Sequence, residues 1–240
     1  MGMKCVVIAA AVGLALAGGS LRAVKAAEAN SESDVVAIDV LLHPDQTMLD
    51  AAAEANKKLR TDYPEGFSLD ALHTPHISLI QRFVRRDDLP RVEAAIAAVF
   101  KRTDPRKLRL EAVGYYSLPV GELGLAGIVV EPTPELRALQ DEIVAALKPL
   151  AVEGSAAAFV QPEAGVAIAP SIVQYVNGYV PQRTGKNFNP HVTVGLGSPE
   201  FVDELIKGPF KRFEFKPTGA SIYHLGNFGT AAKELWSLPR

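Results

Sequence analysis

The period of the apolar positions changes several times along the chain. Asp34 to Leu42 (DVVAIDVLL) is β-branched and apolar and predicts a first strand. Gln46 to Thr61 sets Leu49, Ala52, Ala53 and Asn56 along one side at helical spacing, until Tyr63-Pro64-Glu65-Gly66 breaks it. His76 to Val84 alternates as a strand does. Asp87 and Asp88 then cap a helix from about Leu89 to Lys101, with Pro90 in its first turn. Lys107 to Ser117 and Leu123 to Glu131 predict two strands joined around Pro119 and Gly121. Thr133-Pro134-Glu135 opens a helix that runs to about Leu147. Ala151 to Gly165 and Pro181 to Asn189 read as loops, and Ala169 to Tyr179 fits either a helix or a strand. The second half then resembles the first. His191 to Gly197 is a strand and Pro199 to Lys207 a helix. Phe210 to Lys216, Ala220 to Leu225 and Glu234 to Leu238 are further strands, with a turn at Asn227 to Thr230. This mixture predicts an α+β fold with antiparallel sheets in one compact body.

Composition narrows the functional classes. The 240 residues are 48% apolar and 22% charged, which suits a folded domain and not a disordered chain. The net charge of −2 argues against a long duplex nucleic acid as partner, because gripping many phosphates takes a basic excess. The single cysteine, Cys5, excludes an internal disulfide framework and a cysteine-based zinc site.

Cys5 lies in a segment that does not read as fold. Lys4 is a short basic start, Val6 to Ala17 an apolar stretch, and Ala27-Glu28-Ala29 a small-x-small cleavage site, with Val24-Lys25-Ala26 competing. Residues 1–29 are expected to be a secretory signal peptide, the alternative being an uncleaved anchor. Cleavage lowers the basic residues from 25 to 22 and the acidic ones from 27 to 26, a net charge of −4 on residues 30–240. The expectation is a periplasmic or secreted, monomeric, single-domain protein with no membrane contact after cleavage.

The candidate chemistry is a pair of tetrapeptides. His76-Ile77-Ser78-Leu79 and His191-Val192-Thr193-Val194 share the form His-apolar-hydroxyl-apolar, and each follows a proline, Pro75 or Pro190. Proline favours entry into an extended chain. On a strand the imidazole and the hydroxyl of each tetrapeptide share one face, while the apolar pair turns to the core. If the two halves face each other, a cleft receives two imidazoles and two hydroxyls, a set that suits phosphoryl chemistry. A neutral histidine accepts a proton from the attacking oxygen, a charged one donates to the leaving oxygen, and hydroxyls hold the other phosphate oxygens.

These paired tetrapeptides resemble the signature of the two-histidine phosphoesterase superfamily, which includes the 2′-5′ RNA ligase-like proteins and the 2′,3′-cyclic phosphodiesterases. The stretch Gly219 to Gly226 (GASIYHLG) is similar to the late strand of the 2′-5′ RNA ligase-like proteins. The resemblance covers about residues 35–240. It implies two pseudo-symmetric lobes of antiparallel sheet with outer helices and an active-site cleft between the lobes. By it His76 and His191 are the catalytic pair, Ser78 and Thr193 bind phosphate, and neither a cofactor nor a metal is needed. Ser78 stands where threonine is commoner and keeps the hydroxyl.

Other residues carry weaker signals. Arg82 shares the parity of His76 and Ser78 and could meet phosphate, although a solvated strand-end arginine is the plainer reading. Lys186 could steer an anion or be a surface lysine. Tyr115, Tyr116, Tyr175, Tyr179, Phe188 and Tyr223 could stack on a base, Tyr223 first among them. His224 faces the other way and is structural. His73-Thr74-Pro75-His76 has a metal-like spacing, but Pro75 opposes a helix there, and residues three apart on a strand face opposite sides. The expected activity is hydrolysis of a 2′,3′-cyclic phosphate or a related small nucleotide or RNA-end phosphodiester. The alternatives are a non-catalytic periplasmic binding protein for a nucleotide-like or phosphorylated ligand and, by family, RNA 2′-5′ ligation.

Overall fold

A computed structural model describes residues 33–162 and 166–239. The signal peptide expected over residues 1–29 lies outside them. Nine strands form two antiparallel sheets among the described residues. The first takes β1 (Val35–Pro44), β2 (Ile77–Arg85), β5 (Ala151–Val152), β8 (Pro217–Leu225) and β9 (Ala231–Ser237) in the order β5-β2-β1-β8-β9. The second takes β3 (Leu110–Val120), β4 (Leu123–Val130), β6 (His191–Gly197) and β7 (Phe213–Phe215) in the order β6-β4-β3-β7.

The lobes are interleaved rather than successive halves of the chain. Strands β8 and β9, from the C-terminal end, complete the sheet that begins with β1 and β2. The central place of β1 explains its nearly unbroken apolar sequence, since both of its faces are covered and Val36 to Leu42 are fully buried.

The helices cross between the sheets. Helix α1 (Gln46–Asp62) leaves β1 but packs on β6 of the other sheet. Asp45 caps it, its carboxylate accepting from the backbone N–H of Thr47 at 3.1 Å. Its buried side is Met48, Ala52, Ala55, Asn56 and Leu59. That face is rotated from the expected one, and Ala53 is exposed. Helix α3 (Pro134–Leu147) leaves β4 but packs on β2, and α2 (Leu89–Arg102) lies against α3. Thr133 caps α3 through the Leu136 N–H. Asp88 stands at the start of α2 without capping it, because its carboxylate is bound to Arg91 at 2.7 Å. Helix α6 (Pro199–Lys207) packs on β3.

Three local readings change. Residues 170–177 are helical (α4, Pro170–Asn177), and α5 (Tyr179–Arg183) takes the start of the expected 181–189 loop. Both lie on β2. The turn between β3 and β4 falls at Gly121 and Glu122, with Pro119 still in the strand. A two-residue strand, β5, interrupts the loop expected over 151–165 and edges the first sheet at Phe83 and Val84.

One core cluster runs through both sheets and includes Ile77, Leu79, Val192 and Val194, all fully buried. Burying each such side chain is worth about 1.5–3 kcal/mol. A smaller cluster of Ala37, Phe83, Phe159, Ile168, Val176 and Leu225 covers part of the opposite face of the first sheet. Alternation puts Asp39, Gln81 and Tyr223 on that same face.

Candidate active site

Each histidine is held in the same way. The Nδ1–H of His76 donates to the Thr74 carbonyl at 2.7 Å, and that of His191 donates to the Asn189 carbonyl at 2.7 Å. In both cases the acceptor lies two residues back, across the proline. This fixes the tautomer, so that Nε2 is the nitrogen left for chemistry. The two imidazoles are near enough for the charge of His76 to press on His191.

The two tetrapeptides also share a backbone irregularity. Along β1, Leu41 pairs with Ser78 and Val40 with Ile80, so Leu79 is bulged out of register. Along β4, Gly127 pairs with Thr193 and Ala126 with Gly195, so Val194 is bulged. The bulge falls on the fourth residue of each tetrapeptide. A bulge leaves backbone groups without ladder partners, and here a buried amide meets each one. Gln140 of α3 donates to the Leu79 carbonyl at 2.9 Å, and Asn56 of α1 donates to the Val194 carbonyl at 2.8 Å. Gln140 also donates to the Arg183 carbonyl at 3.3 Å, and Asn56 to the Phe67 carbonyl at 2.9 Å.

The bulge at Leu79 reverses the parity of the rest of β2. Simple alternation carried Arg82 to the histidine face, but the structure brings Gln81 there and pairs Arg82 with Ile38. Gln81 donates to Asp39 Oδ2 at 3.0 Å. Asp39, fully buried on β1, also accepts from the Ser78 hydroxyl at 2.5 Å, and its Oδ2 lies 3.9 Å from His76 Nε2. Burial raises the carboxyl's pKa, against the lowering effects of His76, Ser78 and Gln81.

On the second sheet Tyr116, Gly127 and Thr193 stand in one cross-strand row. Gly127 has no side chain, and a Cβ there would lie 2.3 Å from the Tyr116 ring. The ring can therefore lean across β4 to His191, with centroids 4.5 Å apart, and its hydroxyl meets Thr193. Burial, opposed by the carbonyl of Asn189, lowers the His191 pKa to about 4, with help from the charges of His76 and Arg183. Tyr116 is pushed well above the usual phenol range, again by burial, and stays neutral.

Arg183 brings a cation to this region from the end of α5. Its guanidinium lies over the Tyr175 ring at 5.3 Å, and its Nε is buried without a hydrogen-bond partner among the described residues. Tyr223 faces the Asp39 side of the first sheet, opposite Asp39 in the β1–β8 register. Its hydroxyl bonds Glu234, and its ring stands edge-on to His43 at 6.1 Å. Beside it His43 donates to Ser221 at 2.8 Å, and Ser221 donates to Glu234 at 3.1 Å.

The structure thus brings together His76, Ser78 and Asp39 on one sheet and His191, Thr193 and Tyr116 on the other. His224 turns away and bonds the Ala158 carbonyl at 2.8 Å. His73 stacks on Phe67 and bonds Asp70 at 3.2 Å. Lys186 is exposed on the turn before β6, and Phe188 and Tyr179 are buried in the core. Tyr115 packs against Phe210, beside a groove of about 440 Å³ that holds neither histidine. Sequence reading missed Asp39, Asn56, Gln140 and Arg183. Asp39 and the two amides were visible as polar residues inside apolar patterns; Arg183 had no such signal.

The chain aligns at 16% identity with the crystal structure of TT0787 of Thermus thermophilus, covering 84% of this chain and 96% of that one, with a TM-score of 0.51. It aligns at 12% identity with apo LigT of E. coli, covering 86% and 98%, with a TM-score of 0.39. No curated protein matches the sequence. The sequence model of the 2′-5′ RNA ligase superfamily matches residues 48–224, and with the fold and the paired tetrapeptides in place the chain belongs to that superfamily of two-histidine phosphoesterases.

Proposed function

We propose that this protein hydrolyses a 2′,3′-cyclic phosphate, or a related small nucleotide or RNA-end phosphodiester, by acid–base catalysis between His76 and His191. The supporting observation is that both imidazoles are held by the same Nδ1–carbonyl bond, with Nε2 left on the face that carries Ser78 or Thr193. His191, with a pKa near 4, is neutral at pH 7 and takes the proton of the attacking water. His76 faces the Asp39 carboxyl and donates to the leaving oxygen. Thr193, Ser78 and the Arg183 guanidinium receive the non-bridging oxygens, and Tyr223 borders the nucleoside side. The two imidazoles supply both proton transfers, so the step requires no metal. Within this reading the protein acts after export, as a periplasmic or secreted monomer.

The test is turnover of a panel of 2′,3′-cyclic nucleotides and 2′-5′ linked oligonucleotides in EDTA. His76→Ala and His191→Ala should each lower kcat by about 10²–10⁴-fold. Activity that needs added zinc, or that survives His76→Ala, would overturn the mechanism.

A further inference from the structure

The Ser78 hydroxyl has a single proton, and in this structure it goes to Asp39. The same proton cannot be given to a phosphate oxygen. An ionised Asp39 would also set a second anion beside the bound phosphate. The other Asp39 oxygen, Oδ1, is buried and has no hydrogen-bond partner among the described residues. Thr193 differs, because its partner is the phenol of Tyr116, a neutral group able to donate as well as accept.

We propose that Asp39 is a positioning residue that takes up one proton from solvent when the phosphodiester enters, and thereby frees the Ser78 hydroxyl to donate to a phosphate oxygen. The proposal rests on the phosphoesterase reading above. Once protonated, the Asp39 carboxyl donates to Ser78 Oγ, and Ser78 turns its own proton to the ligand. No bond between heavy atoms changes. The phosphate then replaces the Asp39 carboxylate as the counter-charge to His76.

The surroundings of Asp39 favour this exchange. His76 faces it from the segment before β2, Ser78 and Gln81 from β2, and Tyr223 from β8. Tyr175 of α4 and Tyr179 of α5 sense its charge, with Arg183 beyond them. The side chain is fully buried beside the apolar cluster of Ala37, Phe83 and Leu225. Burial there raises the carboxyl's pKa, against His76, Ser78 and Gln81, and an arriving anion raises it further, so that protonation accompanies binding.

The test is calorimetry of 2′,3′-cyclic AMP binding to the full-length protein carrying His191→Ala, which stops turnover. Titrations at pH 7 in two buffers of different ionisation heat give the protons taken up. A cyclic diester has no proton of its own to gain near neutrality, so uptake belongs to the protein. The expected uptake is between about half and one proton, falling to near zero when Asp39→Asn is added. Uptake that persists in Asp39→Asn would place the proton on another group and overturn the proposal. Binding without uptake by the Asp39-containing protein would overturn it too. Absence of binding in both proteins would overturn the phosphoesterase reading and this proposal with it. If Asp39→Asn does not fold, infrared difference spectra of the Asp39-containing protein decide. A protonated-carboxyl C=O band should appear when the diester is added, and its absence would refute the proposal.

Discussion

The side-chain amide of Asn56 lies 2.8 Å from the carbonyl oxygen of Val194, 138 residues further along the chain. Gln140 makes the matching bond to Leu79. Each histidine strand is therefore pinned, at the bulge that ends its tetrapeptide, by a helix that leaves the other sheet. Asn56→Ala should strand a buried carbonyl and cost about 1–3 kcal/mol in urea unfolding. It should also lower kcat, because His191 loses its anchored strand. A loss of stability with unchanged kcat would show that the bond is structural only.

The acid limb of kcat/KM reports the free enzyme. With His191 near 4, the limb should fall close to pH 4 rather than at the ordinary histidine value. A rate profile from pH 3 to 9, on a substrate whose chemistry limits the rate, measures it. A limb at pH 6 or above would mean that His191 is more hydrated than its burial implies.

The same lowered pKa links His191 to stability. Between about pH 4 and 6.5 the unfolded chain holds a proton on this histidine that the folded chain does not, so stability rises with pH through that window. Unfolding at pH 5 and pH 8 should show the wild type losing about 2 kcal/mol more than His191→Gln on acidification. Equal losses would contradict the desolvation.

Gly127 is a vacancy that Tyr116 occupies. Gly127→Ala should push the ring off His191 and loosen Thr193, raising KM and lowering kcat together by about tenfold or more, as small misplacements in a site do. Gly114→Ala, where a Cβ meets nothing within 4 Å, is the control and should leave both constants near wild type.

Arg183→Met removes the guanidinium over Tyr175. If it holds phosphate, KM should rise by about 10–100-fold with a smaller change in kcat. An unchanged KM would leave phosphate to the hydroxyls and backbone alone.

The sequence made most of the fold legible where a pattern repeats. Both histidine strands were readable because His-apolar-hydroxyl-apolar carries its own alternation, and β1 because it is apolar throughout. What escaped it comes from single insertions and long-range contacts. The bulge at Leu79 leaves no trace in the run ISLIQRF, yet it exchanges Arg82 for Gln81 at the site. Asp39 could be seen as a charge inside a core strand, but not the Ser78 hydroxyl that meets it from 39 residues away. Arg183 looked like part of a polar loop, because nothing local predicts that α5 continues to it.

The interleaving of the strands orders events in time. His43 on β1 reaches Ser221 on β8 across 178 residues, and most pairs of the β1–β8 ladder are at least as far apart. Closing so long a loop must precede the reward of pairing. Until β8 is made, the central strand of the first sheet has one bare edge, and Asp39 lacks the neighbour that faces it from Tyr223. The sheet bearing His76 is thus finished only when almost the whole chain is available, so partial chains and C-terminal truncations before Leu225 will be inactive and prone to pair through that open edge.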